Sequence, residues 1–407
     1  MKIPLKNIIK IIPRYSRDIF VILYYKFLSL FYKDKSKFKD AWLICERGIE
    51  ARDNGYTFFK YIRENYPDKK VYYLIDSSQK QDFERVNPLG NIVEYNSFEH
   101  RMAVFFASHF LSTHIGFITP WSYKLYKILF AKRNKQIFVL LNHGITKEDM
   151  STLLNKFTTG VDVFVAATQS DWETVALDKR YGYNQKDVIL TGYARYDNWH
   201  NFTTKRQILF MPTWRKYLVK RSIYDKNNPD VTSDFTQSSY FQHLSSFLNN
   251  KELHKLLKEN NLDLVFYPHY EVQKSLPLFN TNNCRIKIAC KNTHDISTLL
   301  KESLMLISDY SGVTFDFAYM KKPLIYYQFD QEEYYAGHYL KGDFEMENDG
   351  LGMVVTCEND LINEIKYHIA NGLKMEEKYI ERVNLTFTFQ DNKNCERIYN
   401  AINEYKQ

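Results

Sequence analysis

From Trp42 onward the chain alternates short apolar runs with longer amphipathic stretches. That alternation restricts the fold to parallel sheets covered by helices. The first series of runs predicts strands at Trp42–Cys45, Val71–Asp76, Asn91–Tyr95, His109–Thr113, Ile137–Asn142, Val161–Ala167 and Val188–Thr191. A polar stretch, Asn198–Arg206, precedes a second series at Gln207–Met211, Leu262–Tyr267, Arg285–Ala289, Leu304–Ser308, Leu324–Tyr327 and Met353–Val355. Helical patterns fill the gaps, among them Gly55–Asn65, Ser170–Tyr181, Tyr240–Glu259, Ile296–Glu302, Ser311–Met320 and Asp360–Asn371. A chain of 407 residues exceeds what one core usually serves, so two Rossmann-like lobes joined near residue 200 are expected. The lobes are placed at 41–200 and 201–385, with a C-terminal helix at 386–407 packing back on the first lobe. The polar run Tyr217–Ser239 reads as an inserted mobile loop.

The net charge of +7 is not spread evenly. Residues 1–40 carry ten Lys and Arg against three Asp, which leaves the remaining body neutral. A nucleic-acid binder needs its basic excess on the folded body, so nucleic acid is not an expected partner. Within residues 1–32, Lys2, Lys6, Lys10, Arg14, Arg17 and Lys26 alternate with Ile and Phe, and the longest charge-free apolar run, Ile19–Tyr25, is too short to cross a bilayer. The segment 1–40 therefore reads as a basic amphipathic element, lying on a membrane surface or packed on the protein's own body. Five cysteines without a CxxC pair give neither a disulfide framework nor a zinc site. The sequence holds no GxxxxGK[ST] and no HExxH, and its GxG at Gly350–Gly352 precedes a strand.

Ligands of open α/β sheets sit at the carboxyl ends of strands, so the residues after each run carry the functional reading. Asn142-His143-Gly144 ends one run and Pro268-His269 another. Either histidine is a general base or phosphate contact, or a hydrogen-bonded structural residue. Ser308-Asp309-Tyr310-Ser311-Gly312-Val313-Thr314 reads strand, turn and helix start, where free amides with the Ser311 and Thr314 hydroxyls suit a phosphate. An ordinary capped helix is the alternative, and Asp309 orients donors or caps. Arg215, after Pro212-Thr213-Trp214, and Arg195, after Gly192, are phosphate contacts or structural ion pairs. Glu345, in the acidic stretch Gly342–Glu347, either accepts polyol hydroxyls or faces solvent.

In order along the chain, Asn142-His143-Gly144, Gly192…Arg195…Asp197, Pro212-Thr213-Trp214-Arg215, Pro268-His269, Ser308-Asp309-Tyr310-Ser311 through Asp316, and Lys322-Pro323 with Asp330 and Glu333-Tyr334 resemble the CDP-glycerol glycerophosphotransferase family of teichoic acid primases, polymerases and related capsule polymerases. The resemblance implies a GT-B-like fold with the active site in the interlobe cleft and a transfer needing no metal or other cofactor. It implies CDP-glycerol or CDP-ribitol as donor, a lipid-linked glycan or polyol phosphate as acceptor, and a peripheral place on the cytoplasmic membrane face. His143 and His269 would be catalytic. Arg215, Asp309, Ser311, Gly312 and Thr314 would hold the donor diphosphate, and Asn142, Gly144, Arg195 and Glu345 would contact acceptor or polyol. The chain departs from the family where Asn142 replaces an aromatic residue, where Ile145-Thr146-Lys147-Glu148 replaces Thr-Pro-Leu-Lys, and where Tyr267 and Tyr270 flank the second histidine motif. A nucleotide-sugar glycosyltransferase of the same architecture and a non-catalytic membrane-associated binder are the alternatives.

Overall fold

The computed structural model describes residues 5–220, 230–342 and 344–405, with side chains described from residue 16. The basic side chains Lys2, Lys6, Lys10 and Arg14, part of the Tyr217–Ser239 insertion, and Asp343 of the acidic stretch lie outside what is described.

The chain divides into two units. The first comprises 1–145, 150–198 and 391–407, and the second 146–149 and 199–390. In the first, β1 (Trp42–Cys45), β2 (Val71–Ile75), β3 (Ile92–Glu94), β4 (His109–Ser112), β5 (Ile137–Leu140), β6 (Val163–Ala166) and β7 (Val188–Leu190) form a parallel sheet in the order β3-β2-β1-β4-β5-β6-β7. Each run is too short and too continuously apolar for a surface strand, and β1, β2, β5 and β6 are buried throughout. Helices on both faces supply the cover.

In the second unit, β8 (Gln207–Met211), β11 (Asp263–Phe266), β12 (Ile286–Ile288), β13 (Met305–Ser308), β14 (Leu324–Tyr327) and β15 (Met353–Val355) form a parallel sheet in the order β12-β11-β8-β13-β14-β15. A small antiparallel pair, β9 (Val219–Lys220) and β10 (Asp230–Val231), stands in the described part of the insertion. All thirteen expected strands are present, in two Rossmann-type sheets. The expected helix Tyr240–Glu259 is two helices, Ser239–Leu248 and Lys251–Glu259. The break falls at Asn249-Asn250 because the Asn250 side chain accepts the Leu253 N–H at 3.0 Å and starts a new helix.

The Leu5–Phe31 helix belongs to the first unit, where Ile22 is fully buried and Val21, Tyr25 and Leu28 pack on the core. Its other face is apolar and open: Phe20, Leu23, Tyr24, Phe27 and Phe31 are 50–71% exposed. Among the described residues no helix is long and apolar enough to cross a membrane. The Asn394–Glu404 helix also packs on the first unit. There the Asp197 carboxylate accepts the Asn394 and Cys395 N–H groups, both at 2.8 Å. Gly192, at φ +78°, admits it, since a Cβ there would lie 2.0 Å from Asn394 Oδ1.

Candidate active site

The order of the first sheet reverses between β1 and β4, which places its ligand crevice outside the ends of those strands. Glu46 directly follows β1. Its carboxylate accepts the N–H groups of Arg52, Asp53 and Tyr56 at 2.9, 2.8 and 2.9 Å, and so fills the amino end of the Asn54–Asn65 helix. Burial and the neighbouring Asp53 push its pKa up to about 8, against those three hydrogen bonds. The position where a dinucleotide-binding sheet holds phosphate is thus occupied by the protein itself. Removing the side chain in Glu46→Ala leaves three half-buried N–H groups without their acceptor, and a loss of about 3 kcal/mol in urea unfolding is expected.

His143 stands at the end of β5, on a turn made by Asn142 at φ +57°. Asparagine tolerates this left-handed conformation because its side chain bonds locally. Here Asn142 Oδ1 accepts the His143 N–H at 2.9 Å, and its amide donates to Tyr193 Oη at 3.0 Å. Tyr193 in turn donates to the Gly144 carbonyl at 2.7 Å, while Asn54 donates to the Asn142 carbonyl at 2.8 Å. The Asn142 side chain is therefore a buried clamp on the turn, bonded through both its oxygen and its nitrogen. Gly144 meets nothing where a Cβ would stand, which keeps the backbone open to a ligand.

The imidazole of His143 is fixed by Nδ1, which donates to the Thr113 carbonyl at 3.1 Å. Nε2 then carries the lone pair, as a general base requires. Desolvation holds the His143 pKa below its ordinary value, opposed chiefly by Asp53. The ring stacks on His114, with centroids 4.1 Å apart and planes at 12°. His114 follows β4 as His143 follows β5, and the strand-end rule that singles out His143 applies to it equally.

Arg195, expected at the substrate, is instead buried. It pairs with Asp53 at 2.9 Å and lies over the rings of Tyr193 and Tyr196. Its partner lies 142 residues away in the chain, which local sequence does not reveal.

The second sheet reverses between β8 and β13. Asp309, just past β13, accepts the N–H groups of Thr213 and Tyr310 at 2.8 and 2.7 Å, and the Arg215 guanidinium at 3.0 Å. Arg215 also forms a two-pronged pair with Asp330 at 2.7 and 2.9 Å. Burial alone would lower its pKa, yet the two aspartates hold it well above the ordinary value. With no exposed surface and both carboxylates satisfied, Arg215 and Asp309 tie three strand ends together and do not reach a phosphate. This corrects the sequence expectation for both residues.

The groups left to face a ligand are different ones. His269 Nδ1 accepts the Glu271 N–H at 3.3 Å, so the neutral ring carries its proton on Nε2. Trp214 lies against it with ring centroids 5.9 Å apart. Ser311 and Gly312 are half-buried, and the Gly312 backbone is open. Thr314 is fully buried and donates to the Ser311 carbonyl at 2.8 Å, which removes it from the expected phosphate contacts. Glu345 is exposed, and one of its carboxylate oxygens accepts from Asn348 of its own loop at 2.8 Å.

A further histidine, passed over in the sequence, joins this group. His338 ends the Gln331–Gly337 helix and crosses Trp214 edge-on, with centroids 4.9 Å apart. It continues the ring stack of Tyr310 and Tyr334. Nearby, at the end of β14, a cleft of about 700 Å³ is lined by Ser239, Gln328, Asp330, Glu332 and Glu333. The exposed carboxylates of Glu332 and Glu333 there suit hydroxyl groups better than phosphates. Among the described residues no cluster of His, Cys, Asp and Glu has the makings of a metal centre.

A family model described as CDP-glycerol:poly(glycerophosphate) glycerophosphotransferase matches residues 26–404. The minor teichoic acid biosynthesis protein GgaB of Bacillus subtilis (strain 168) is 31% identical over 366 residues, covering 90% of this chain and 40% of that protein. The chain spans 40–47% of the length of the curated relatives it matches over most of its own. Among solved structures, a His-to-Asn variant of the wall teichoic acid polymerase TagF soaked with CDPG superposes with a TM-score of 0.64 at 17% identity, covering 99% of this chain and 98% of that one. The Staphylococcus aureus MnaA–UDP co-structure gives 0.57 at 13% identity over 90% and 96%. At such identities the likeness establishes the fold, a GT-B-like pair of Rossmann-type units.

Proposed function

The chain belongs to the CDP-glycerol:poly(glycerophosphate) glycerophosphotransferase family, and on that premise we propose that it transfers a polyol phosphate from a CDP-activated donor to a hydroxyl of a membrane-linked acceptor. In the step, the acceptor oxygen attacks the β-phosphorus of the donor. The new P–O bond forms as the bond to CMP breaks, and CMP leaves with the electron pair. His143 Nε2 takes the hydroxyl proton. His269, with its Nε2–H, and the backbone at Ser311-Gly312 stabilise charge on the diphosphate, since phosphoryl transfer depends chiefly on positioning and electrostatics.

The observation that carries this reading is the opposite ring state of the two strand-end histidines. One has Nδ1 donating and a free Nε2 lone pair, and the other has Nδ1 accepting and Nε2 protonated. A base and an oxyanion donor are the two roles the reaction needs. Glu46 supports it further: its carboxylate fills the first unit's helix terminus, which leaves the second unit to bind the donor.

The test measures nucleotide release with CDP-glycerol, CDP-ribitol and UDP-sugars in the presence of membrane acceptor. Release of CMP from a CDP-polyol alone supports the reading. Turnover of a UDP-sugar with both CDP-polyols inert points to glycosyl transfer on the same fold and overturns it.

The open apolar face of the Leu5–Phe31 helix supports a peripheral place on the cytoplasmic membrane surface. Aromatic and Leu side chains in such a row enter the headgroup boundary while basic residues meet anionic lipid. The double variant Phe20→Ser/Phe27→Ser is expected to weaken co-sedimentation with phosphatidylglycerol vesicles about tenfold. Unchanged sedimentation would contradict this.

A further inference from the structure

His338 Nδ1 accepts the Lys216 backbone N–H at 2.9 Å. In the neutral ring the proton must then sit on Nε2. Burial, followed by Arg215, Lys216 and Lys147, pushes the pKa of His338 down to about 3, so the ring is neutral throughout the working range of a cell. The residue is 7% exposed, and its Nε2 is shielded from solvent without any hydrogen-bond partner. A buried N–H without an acceptor is costly, and folded proteins rarely keep one without a use.

The surroundings state what kind of acceptor is missing. Trp214 touches both His338 and His269, so the two Nε2–H donors belong to one aromatic wall. The Tyr310–Tyr334–His338 stack connects that wall to the Ser311-Gly312 turn. Glu148 balances Lys147 at 2.6 Å, and Asp309 and Asp330 balance Arg215. Lys216 is exposed and adds positive charge beside the ring. These charges cancel, so position names the acceptor: the ring shares its wall with His269, the diphosphate contact proposed above, and a phosphate oxygen is what that place offers.

We propose that His338 contacts the substrate, donating from Nε2–H to a phosphate oxygen of the nucleoside diphosphate donor, which reaches it by displacing the two rings set edge-on to it, Trp214 and Tyr339. The assignment rests on the function proposed above and adds to it a diphosphate contact beside His269. Being neutral and fixed by Lys216, the ring acts as a donor and takes no part in proton transfer.

The experiment compares binding of CDP-glycerol, CDP and cytidine by calorimetry in wild type, His338→Asn and His338→Gln. Asn keeps an acceptor for the Lys216 amide and removes the distal N–H, whereas Gln can supply both. His338→Asn is expected to weaken CDP and CDP-glycerol about tenfold, leave the weak binding of cytidine unchanged, and be partly rescued by His338→Gln. Equal affinities in wild type and His338→Asn overturn the assignment while the proposed function stands. A wild type that binds neither CDP-glycerol nor CDP overturns both. Should His338→Asn fail to fold, the ring nitrogen signals of ¹⁵N-histidine wild-type protein decide. A CDP-dependent shift of a non-titrating, Nε2-protonated imidazole supports the contact, and no shift among such rings overturns it.

Discussion

Alanine at His143 is expected to lower CMP release from a CDP-polyol about 10³-fold while leaving donor affinity within twofold of wild type. The base contributes on the order of 10²–10⁴ to such a transfer. The groups assigned to the donor, His269, Ser311 and Gly312, all belong to the second unit, so removing a first-unit imidazole costs rate and not binding. The pH profile carries a second expectation. Because desolvation lowers the His143 pKa, the unprotonated base persists as pH falls, and the acid limb of kcat/KM should lie below the ordinary histidine value of about 6.5. The same shift has a stability consequence of fixed sign: the unfolded chain binds the proton more readily, so the contribution of His143 is lost as pH falls below about 6.5. An acid limb above that value, or a KM effect without a kcat effect, would contradict the role assigned to His143.

The largest effect on stability is expected at Arg215. Replacing it by methionine preserves much of the volume but leaves Asp309 and Asp330 buried without their counter-ion. A loss of about 3–5 kcal/mol in urea unfolding of the second unit follows. Because Asp309 also accepts the Thr213 and Tyr310 N–H groups, the strand-end turns that carry Trp214 and Ser311 should loosen together, and donor binding should fall with stability. A change below about 1 kcal/mol would show that the guanidinium is not the tie between β8, β13 and the chain after β14.

Arg195 and Arg215 mark where sequence reading stops. The strands were legible because parallel, doubly covered strands must be continuously apolar, and each run in the sequence is a strand in the fold. The strand-end histidines were legible for a related reason, since a polar residue closing such a run has to emerge at the crevice. Arg195 and Arg215 obey the same positional rule but are buried ion pairs. Their carboxylates, Asp53 and Asp330, lie 142 and 115 residues away, so only the folded chain shows that the charges are already satisfied. Thr314 fails as a phosphate contact through a choice of rotamer, turned back to the Ser311 carbonyl. His338 follows a helix rather than a strand and gains its meaning from the Lys216 amide, a relation with no local signature. His114 is the omission that sequence could have prevented, because Thr113-His114 closes β4 as Asn142-His143 closes the run of β5.

The central claim is that this chain moves a polyol phosphate and not a sugar, and the phosphorus spectrum of the product tests it most directly. Incubation of the protein with CDP-glycerol or CDP-ribitol and a membrane acceptor, followed by ³¹P NMR, should show the diphosphate signals of the donor replaced by equal amounts of CMP and a new phosphodiester. A new phosphodiester absent while a UDP-sugar is consumed, or CMP and free polyol phosphate formed by water alone with acceptor present, would contradict it.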